Sequence, residues 1–321
     1  MTRRSGGRVQ GFRFTFSMIC SGLLILFGFT GCQTKPYQQE LAETYYNLGN
    51  AYIELAQWDE AETAFARALE INAELYRAEY NMARVYINSG NYGSAVDILN
   101  KLLERDPENI IFLETLAWTR VKQGRGERAE EIYRSLLDSD PANCNARYNL
   151  ALLLSDREEY AEAYSLLIDC VYGGSADWEI LLKMGNLEKA LDWGSGVGWF
   201  EKAEEKAPQE ASVLRTLAAA YQQEGLHTQA LDMYRRLAGR AEGPQRGEYL
   251  LEQARILYLQ LEEKQPGQTA LEGALEAGFK DTEALSEFYT AVVEKDDLDV
   301  LTSVEAELRR FELLEAIRAQ E

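Results

Sequence analysis

A single histidine, His227, stands in 321 residues, which removes the side chain most used for metal ligation and proton transfer near neutral pH. The carboxylates offer no substitute. Glu204-Glu205 and Glu262-Glu263 are adjacent in sequence, so on helices they point to different faces and read as solvated surface. The sequence holds no GxxxxGK[ST] phosphate loop, no HExxH, no GxSxG and no CxxC pair. The run Gly194-Ser195-Gly196-Val197-Gly198 has the glycines of a phosphate loop but no strand before it. It lies between helical segments and reads as a loosened turn. No catalytic residue, metal site or cofactor is therefore expected, and the chain is expected not to be an enzyme.

The elements that carry these residues are helical. Ala, Leu, Glu, Gln and Arg fill most windows, Pro numbers six, and 46% apolar with 27% charged residues is enough for a packed core. The net charge of −20 leaves no basic face of the kind a nucleic-acid binder needs to displace counterions. The acid excess reads as a solubilising surface.

The start of the chain is different. Arg3, Arg4, Arg8 and Arg13 come with no acid, followed by an apolar stretch from Ser17 to Phe29. That stretch is short against the ~20 residues of a spanning helix and has the length of a secretory core. Phe29-Thr30-Gly31-Cys32 then resembles the lipobox of bacterial lipoproteins, with Phe29 where the family prefers Leu. The resemblance implies cleavage of a signal peptide, residues 1–31, and acylation of Cys32. Two or more acyl chains give stable anchoring where one gives weak binding. Gln33, in place of Asp, implies by the same resemblance an outer rather than an inner membrane, with the chain facing the periplasm. Residues 32–41 read as the lipidated Cys and a short tether.

From residue 42 onward the pattern repeats every 34 residues. Leu48-Gly49, Tyr52, Trp58, Ala61, Phe65 and Ala68 align with Met82-Ala83, Tyr86, Tyr92, Ala95, Leu99 and Leu102. Leu116-Ala117, Ala129, Tyr133 and Leu136 follow, then Leu150-Ala151, Tyr160, Ala163 and Leu167, with Gly90 and Gly124 at turns and Pro107 and Pro141 late in their repeats. This pattern resembles the tetratricopeptide repeat (TPR). The resemblance implies an all-α, right-handed superhelical solenoid of about eight helical hairpins, at 42–75, 76–109, 110–143, 144–177, 178–210, 211–244, 248–281 and 282–315. The first four, 42–177, are well formed. In 178–244 an irregular fifth repeat, one residue short, precedes a regular sixth. Residues 245–321 hold an insertion at Gln245–Gly247, two degenerate repeats and a charged capping helix from Glu305 to Glu321. One hairpin cannot bury its apolar faces alone, so stacking must supply the core.

Cys144 and Cys170 fall at the first and twenty-seventh positions of one repeat. The start of the first helix of a hairpin lies near the end of the second, so a disulfide fits; two separate buried thiols are the alternative.

In the TPR family the leading helix of each hairpin lines a concave groove. That resemblance implies a partner-binding set of Tyr46, Asn47, Asn50, Arg77, Tyr80, Asn81, Arg84, Trp118, Lys122, Asn145, Tyr148, Asn149 and Arg215, with Lys183, Asn186, Lys189 and Gln222 further along. Asn47, Asn81 and Asn149 recur at one position, where relatives hold a peptide backbone; the alternative is that such Asn and Tyr side chains fill space between hairpins. Arg77, Arg84, Lys122, Lys189 and Arg215 against Glu114, Asp156 and Glu179 make the groove mildly positive and favour a neutral or acidic segment. The chaperone-tail clamp of the family is not expected, because Tyr46, Ile111 and Thr115 replace its ligands. The expected function is a membrane-anchored scaffold gripping a protein or peptide in cell-envelope assembly. An alternative is a transport accessory that docks a solute-binding protein or holds an apolar ligand, suggested by Trp178, Trp193 and Trp199.

Overall fold

The computed structural model describes residues 37–319. Cys32, the leader before it and residues 33–36 lie outside the described residues. Among the described residues every regular element is an α-helix. The chain divides into two compact units after Ser139.

The N-terminal unit contains α1 (37–54), α2 (Trp58–Ile71), α3 (Tyr76–Asn88), α4 (Tyr92–Arg105), α5 (Ile110–Lys122) and α6 (Gly126–Ser139). From α2 onward each helix packs on its neighbours in sequence. Residues 37–41, expected in the tether, are already helical. Gln38, Gln39, Glu40 and Leu41 are good helix formers, and fully buried Ala42 fixes the turn they precede.

The 34-residue pattern has a direct packing cause. Ala61, Ala95 and Ala129 on the second helix of each hairpin are fully buried, as are Phe65 and Tyr133. A Cβ at Gly49 would lie 2.6 Å from the Phe65 ring, so only glycine lets α1 and α2 close over that ring. Asn91 and Asn109 cap α4 and α5 by accepting from the Ser94 and Phe112 amides. The turn inside each hairpin needs one left-handed residue. Gly90 and Gly124 supply it without strain, but Ala56, Glu158 and Asp192 occupy the same repeat position at φ of 54°, 64° and 53°.

The C-terminal unit contains α7 (Cys144–Asp156), α8 (Tyr160–Tyr172), α9 (Trp178–Ala190), α10 (Val197–Lys206), α11 (Ala211–Gln223) and α12 (His227–Ala238). It continues with α13 (Gly243–Leu259), α14 (Lys264–Glu276), α15 (Thr282–Glu294), α16 (Leu298–Arg310) and α17 (Leu314–Arg318). The hairpin of α7 and α8, grouped by its sequence with the first three, belongs to this unit. Repeat motifs record how each hairpin closes, not where a stack divides.

Three other expectations change. Gln245–Gly247 is not a segment between repeats; it lies within α13, which starts at Gly243 and at 17 residues is longer than the 13 of α11, so the extra residues lengthen the leading helix. Pro244 and Pro266 sit in the first turns of α13 and α14, where a missing amide costs nothing. The charged tail is not one capping helix. Its first part belongs to α16, the chain breaks after Arg310, and α17 folds back on α15 with Leu314 and Ile317 buried. Past α13, packing ceases to follow sequence order, with α13 against α15 and α14 against α16.

Candidate partner-binding face

The leading helices α1, α3 and α5 stand side by side, joined by side chains about one repeat apart. Arg77 donates to Glu43 at 2.7 Å and lies over the Tyr46 ring, 5.0 Å from its centre. Asn81 donates to Asn50 Oδ1 at 2.6 Å and to Tyr46 Oη at 3.4 Å, and accepts from Arg84 at 3.3 Å. Tyr80 and Thr115 hydroxyls are 3.0 Å apart, and the Tyr80 ring packs on Phe112.

This network corrects the groove read from sequence. Asn81 is only 6% exposed and its amide is fully engaged by neighbours, so it cannot also hold a peptide backbone. Tyr46, Asn50, Arg77 and Tyr80 likewise join one hairpin to the next. The side chains left facing solvent are Asn47, Arg84, Trp118 and Lys122. Arg84 and Trp118 occupy the same position in successive hairpins. Lys122 Nζ lies 4.9 Å from the Trp118 ring centre one turn further along. Among the described residues neither Arg84 nor Lys122 meets a carboxylate, whereas Arg77 is paired with Glu43. The result is a tryptophan, 40% exposed, beside one unpaired cation and one hairpin away from another.

In the C-terminal unit the corresponding face is more acidic and more closed. Burial raises the Tyr148 phenol, and Glu179 and Asp177 add to the shift. Burial lowers the half-buried Lys183 ammonium, opposed by Asp156. Asn149 turns its amide onto the Asn145 carbonyl of its own helix at 3.0 Å, so it is not presented as a clamp. Lys189 donates to Gln223, and Gln222 accepts from Tyr234. Asn145, Asn186 and Arg215 remain exposed. The expected positive character thus remains on α3 and α5 as Arg84 and Lys122, and in the C-terminal unit as Lys189 and exposed Arg215.

Cys144 and Cys170 are joined as a disulfide with Cα atoms 5.8 Å apart, pinning the start of α7 to the end of α8. Arg147 reinforces that end, donating to the Pro141 and Leu166 carbonyls and to Asp169 at 2.7 Å. The glycine run is a packing device: a Cβ at Gly196 would lie 2.4 Å from the Gly185 carbonyl oxygen, and one at Gly185 would enter the Phe200 ring. Two of the three tryptophans meet around Tyr164 and Glu188: Trp193 meets the Tyr164 ring edge-on, and Trp199 donates to Glu188, neighbours the Tyr164 hydroxyl and lies under Lys202. Among the described residues no cluster of three or more His, Cys, Asp or Glu could hold a metal ion, and no helix is long and apolar enough to cross a membrane.

What the sequence reading missed is the lock between leading helices. A signal existed: Glu43 and Arg77 are complementary charges 34 residues apart, at the same repeat position.

Two family models, each described as tetratricopeptide repeat, match residues 53–118 and 114–169. Residues 53–169 carry tetratricopeptide repeats. The matched stretch runs from the end of α1 into α8 and includes the Arg84–Trp118–Lys122 face. Among solved structures, a tetratricopeptide repeat protein from Parabacteroides merdae is 17% identical with a TM-score of 0.50, over 79% of this chain and 99% of that one. Human IFIT1, solved as a dimer with m7Gppp-AAAA, is 14% identical with a TM-score of 0.51, over 82% of this chain and 66% of that one. At such identities the likeness is one of fold. No curated protein matches the chain. TPR domains bind protein or peptide partners, and this TPR fold is that of a protein–protein interaction scaffold.

Proposed function

We propose that this TPR protein is a lipid-anchored scaffold of the cell envelope, and that the α3–α5 face of its N-terminal unit grips an acidic segment of a protein partner. One observation carries the reading: Lys122 lies over exposed Trp118, Arg84 holds the equivalent position one hairpin earlier, and among the described residues neither cation is paired with a carboxylate, on a chain whose net charge is −20. A tryptophan supplies large contact area at low entropic cost, and such cations select acidic neighbours and repel basic ones. The partner is thus a segment with an apolar or aromatic anchor between Asp or Glu residues.

The anchor is Cys32, acylated after removal of residues 1–31, and the preferred site is the periplasmic side of the outer membrane. The Cys144–Cys170 disulfide supports this placement, since such bonds persist in oxidising compartments. Assembly of outer-membrane, pilus, secretion or cell-wall machinery is the class of task such a tethered scaffold serves.

The test is crosslinking in intact cells with the full chain carrying Arg84→Glu and Lys122→Glu. Both side chains are exposed, and Arg84 adds to the locking network only its 3.3 Å bond to Asn81, so helicity and melting stay unchanged while partner capture falls at least tenfold. Unchanged capture would move the binding face elsewhere. Cys32→Ala is expected to shift the protein from the membrane to the soluble fraction; retention at the membrane would remove the anchor.

A further inference from the structure

The end of the N-terminal unit opposite α6 carries a second surface. Tyr45, Leu48 and Tyr52 on α1 with Asp59, Glu60 and Glu70 on α2 line an open groove of about 880 Å³. Its floor is apolar: Leu48 is 41% exposed, and Tyr45 and Tyr52 are half-buried against the core of the first hairpin. Its rim is acidic. Arg67 is held by Glu70 and lies within reach of Tyr45, which leaves Asp59 and Glu60 without a cation among the described residues.

The molecule shows what belongs on such a surface. The equivalent face of the next hairpin, 34 residues on, is covered by α2. There Tyr86, the counterpart of Tyr52, donates to Glu62 of α2 at 2.7 Å. The C-terminal unit repeats the arrangement: Tyr221 stands at the same position of its hairpin and donates to Glu201 of the preceding α10 at 2.9 Å. Burial, with that glutamate, raises each phenol to about 12. At Tyr86 and Tyr221 the preceding helix thus brings a glutamate to the hydroxyl. At Tyr52 no helix precedes among the described residues, and the hydroxyl has no partner among them.

We propose that this face docks an amphipathic helix of a partner protein, laid as α2 lies on α3, with a carboxylate at the Tyr52 hydroxyl and Lys or Arg opposite Asp59, Glu60 and Glu70. Charge selects this occupant over a second copy of the chain. Self-association through the face would bring the same carboxylates together on two chains of −20 each. The surface is distinct from the α3–α5 face: it takes a helix, by apolar burial and one acceptor, where the other takes an acidic segment.

The probe is a lactam-stapled peptide of residues 57–72, the α2 sequence itself, with Asp59→Lys, Glu60→Lys and Glu70→Lys and with the residue-62 glutamate kept. Fluorescence anisotropy against the full chain is expected to show saturable binding. Leu48→Glu in the full chain weakens it at least tenfold. Tyr52→Phe weakens it about tenfold, the loss of one hydrogen bond to a charged acceptor, and that effect vanishes when the peptide carries Glu62→Ala. Arg84→Glu leaves it unchanged, which separates this surface from the other. Absence of binding, or indifference to Leu48→Glu, overturns the proposal. So does a wild-type dimer in sedimentation that Leu48→Glu dissociates, which would make the occupant a second copy. Binding that appears only after removal of residues 1–36 would overturn it too, by assigning the face to the chain's own N-terminal segment.

Discussion

In the first hairpin the glycine sits on the leading helix and the aromatic on the following one: Gly49 lies against Phe65. The hairpin of α9 and α10 does the same with Gly185 and Phe200. In the hairpin of α13 and α14 the two have exchanged helices. Tyr258 is on the leading helix, and a Cβ at Gly267 on the following helix would lie 2.9 Å from its ring. The rings are equally buried, Phe65 at 0% and Tyr258 at 1% exposure. Close approach of two helices over a ring is therefore the physical requirement, and either helix can supply the glycine. The exchange frees the Tyr258 hydroxyl to reach Ser303 on α16 at 3.2 Å, and Lys295 caps the end of α13 by donating to the Leu259 carbonyl at 2.8 Å. The α13–α14 hairpin has lost the repeat signature while keeping, within itself, the close approach over a ring that the signature normally records.

That comparison can be broken most forcefully at the rings. Phe65→Ala and Tyr258→Ala should each cost about 3–5 kcal/mol in urea unfolding followed by circular dichroism. A cost under about 1 kcal/mol for Tyr258→Ala alone would mean that the exchanged hairpin is not an equivalent of the first. Next in size is the disulfide, which among the described residues only the C-terminal unit has. With its cysteines separated by 26 in sequence, reduction should lower stability by about 3 kcal/mol, with loss confined to that unit. Two titratable thiols in denatured, unreduced protein would instead show that the bond does not form.

Filling the glycine holes tests the same symmetry more finely. Gly49→Ala and Gly267→Ala should each destabilise by about 1–3 kcal/mol through overpacking, and a neutral Gly267→Ala would show that the Tyr258 ring can move aside. The smallest effect has the opposite sign. Glu158 holds a left-handed turn that Gly90 and Gly124 hold without strain, so Glu158→Gly should stabilise by about 0.5–1 kcal/mol. Destabilisation would place the Glu158 side chain in a contact that outweighs the backbone strain.

The sequence made the hairpins legible wherever small and large residues recur at fixed positions. Ala61, Ala95, Ala129, Ala163 and Ala230 are all fully buried as the pattern requires. It misplaced the start of α13 because the exchange of Tyr258 and Gly267 removes the expected glycine from the leading helix, and the period has nothing to align. It missed the turn residues Ala56, Glu158 and Asp192 because left-handed backbone was sought at glycines. The partner-binding face was legible only by position. Periodicity placed Asn81, Arg84 and Trp118 on one side of the leading helices. It could not show that Asn81 is buried under Asn50 and Tyr46 while Arg84 and Trp118 stand clear, since that depends on side chains from different hairpins.

The central claim is that a partner meets this protein on the face of its leading helices. A photocrosslinking amino acid placed at Trp118 on α5, and in a separate protein at Ser135 on α6, tests it in cells. Both positions are exposed and belong to one hairpin. The account predicts a discrete crosslinked partner from position 118 that disappears with Arg84→Glu and Lys122→Glu, and none from position 135. Capture from 135 with none from 118 would contradict it.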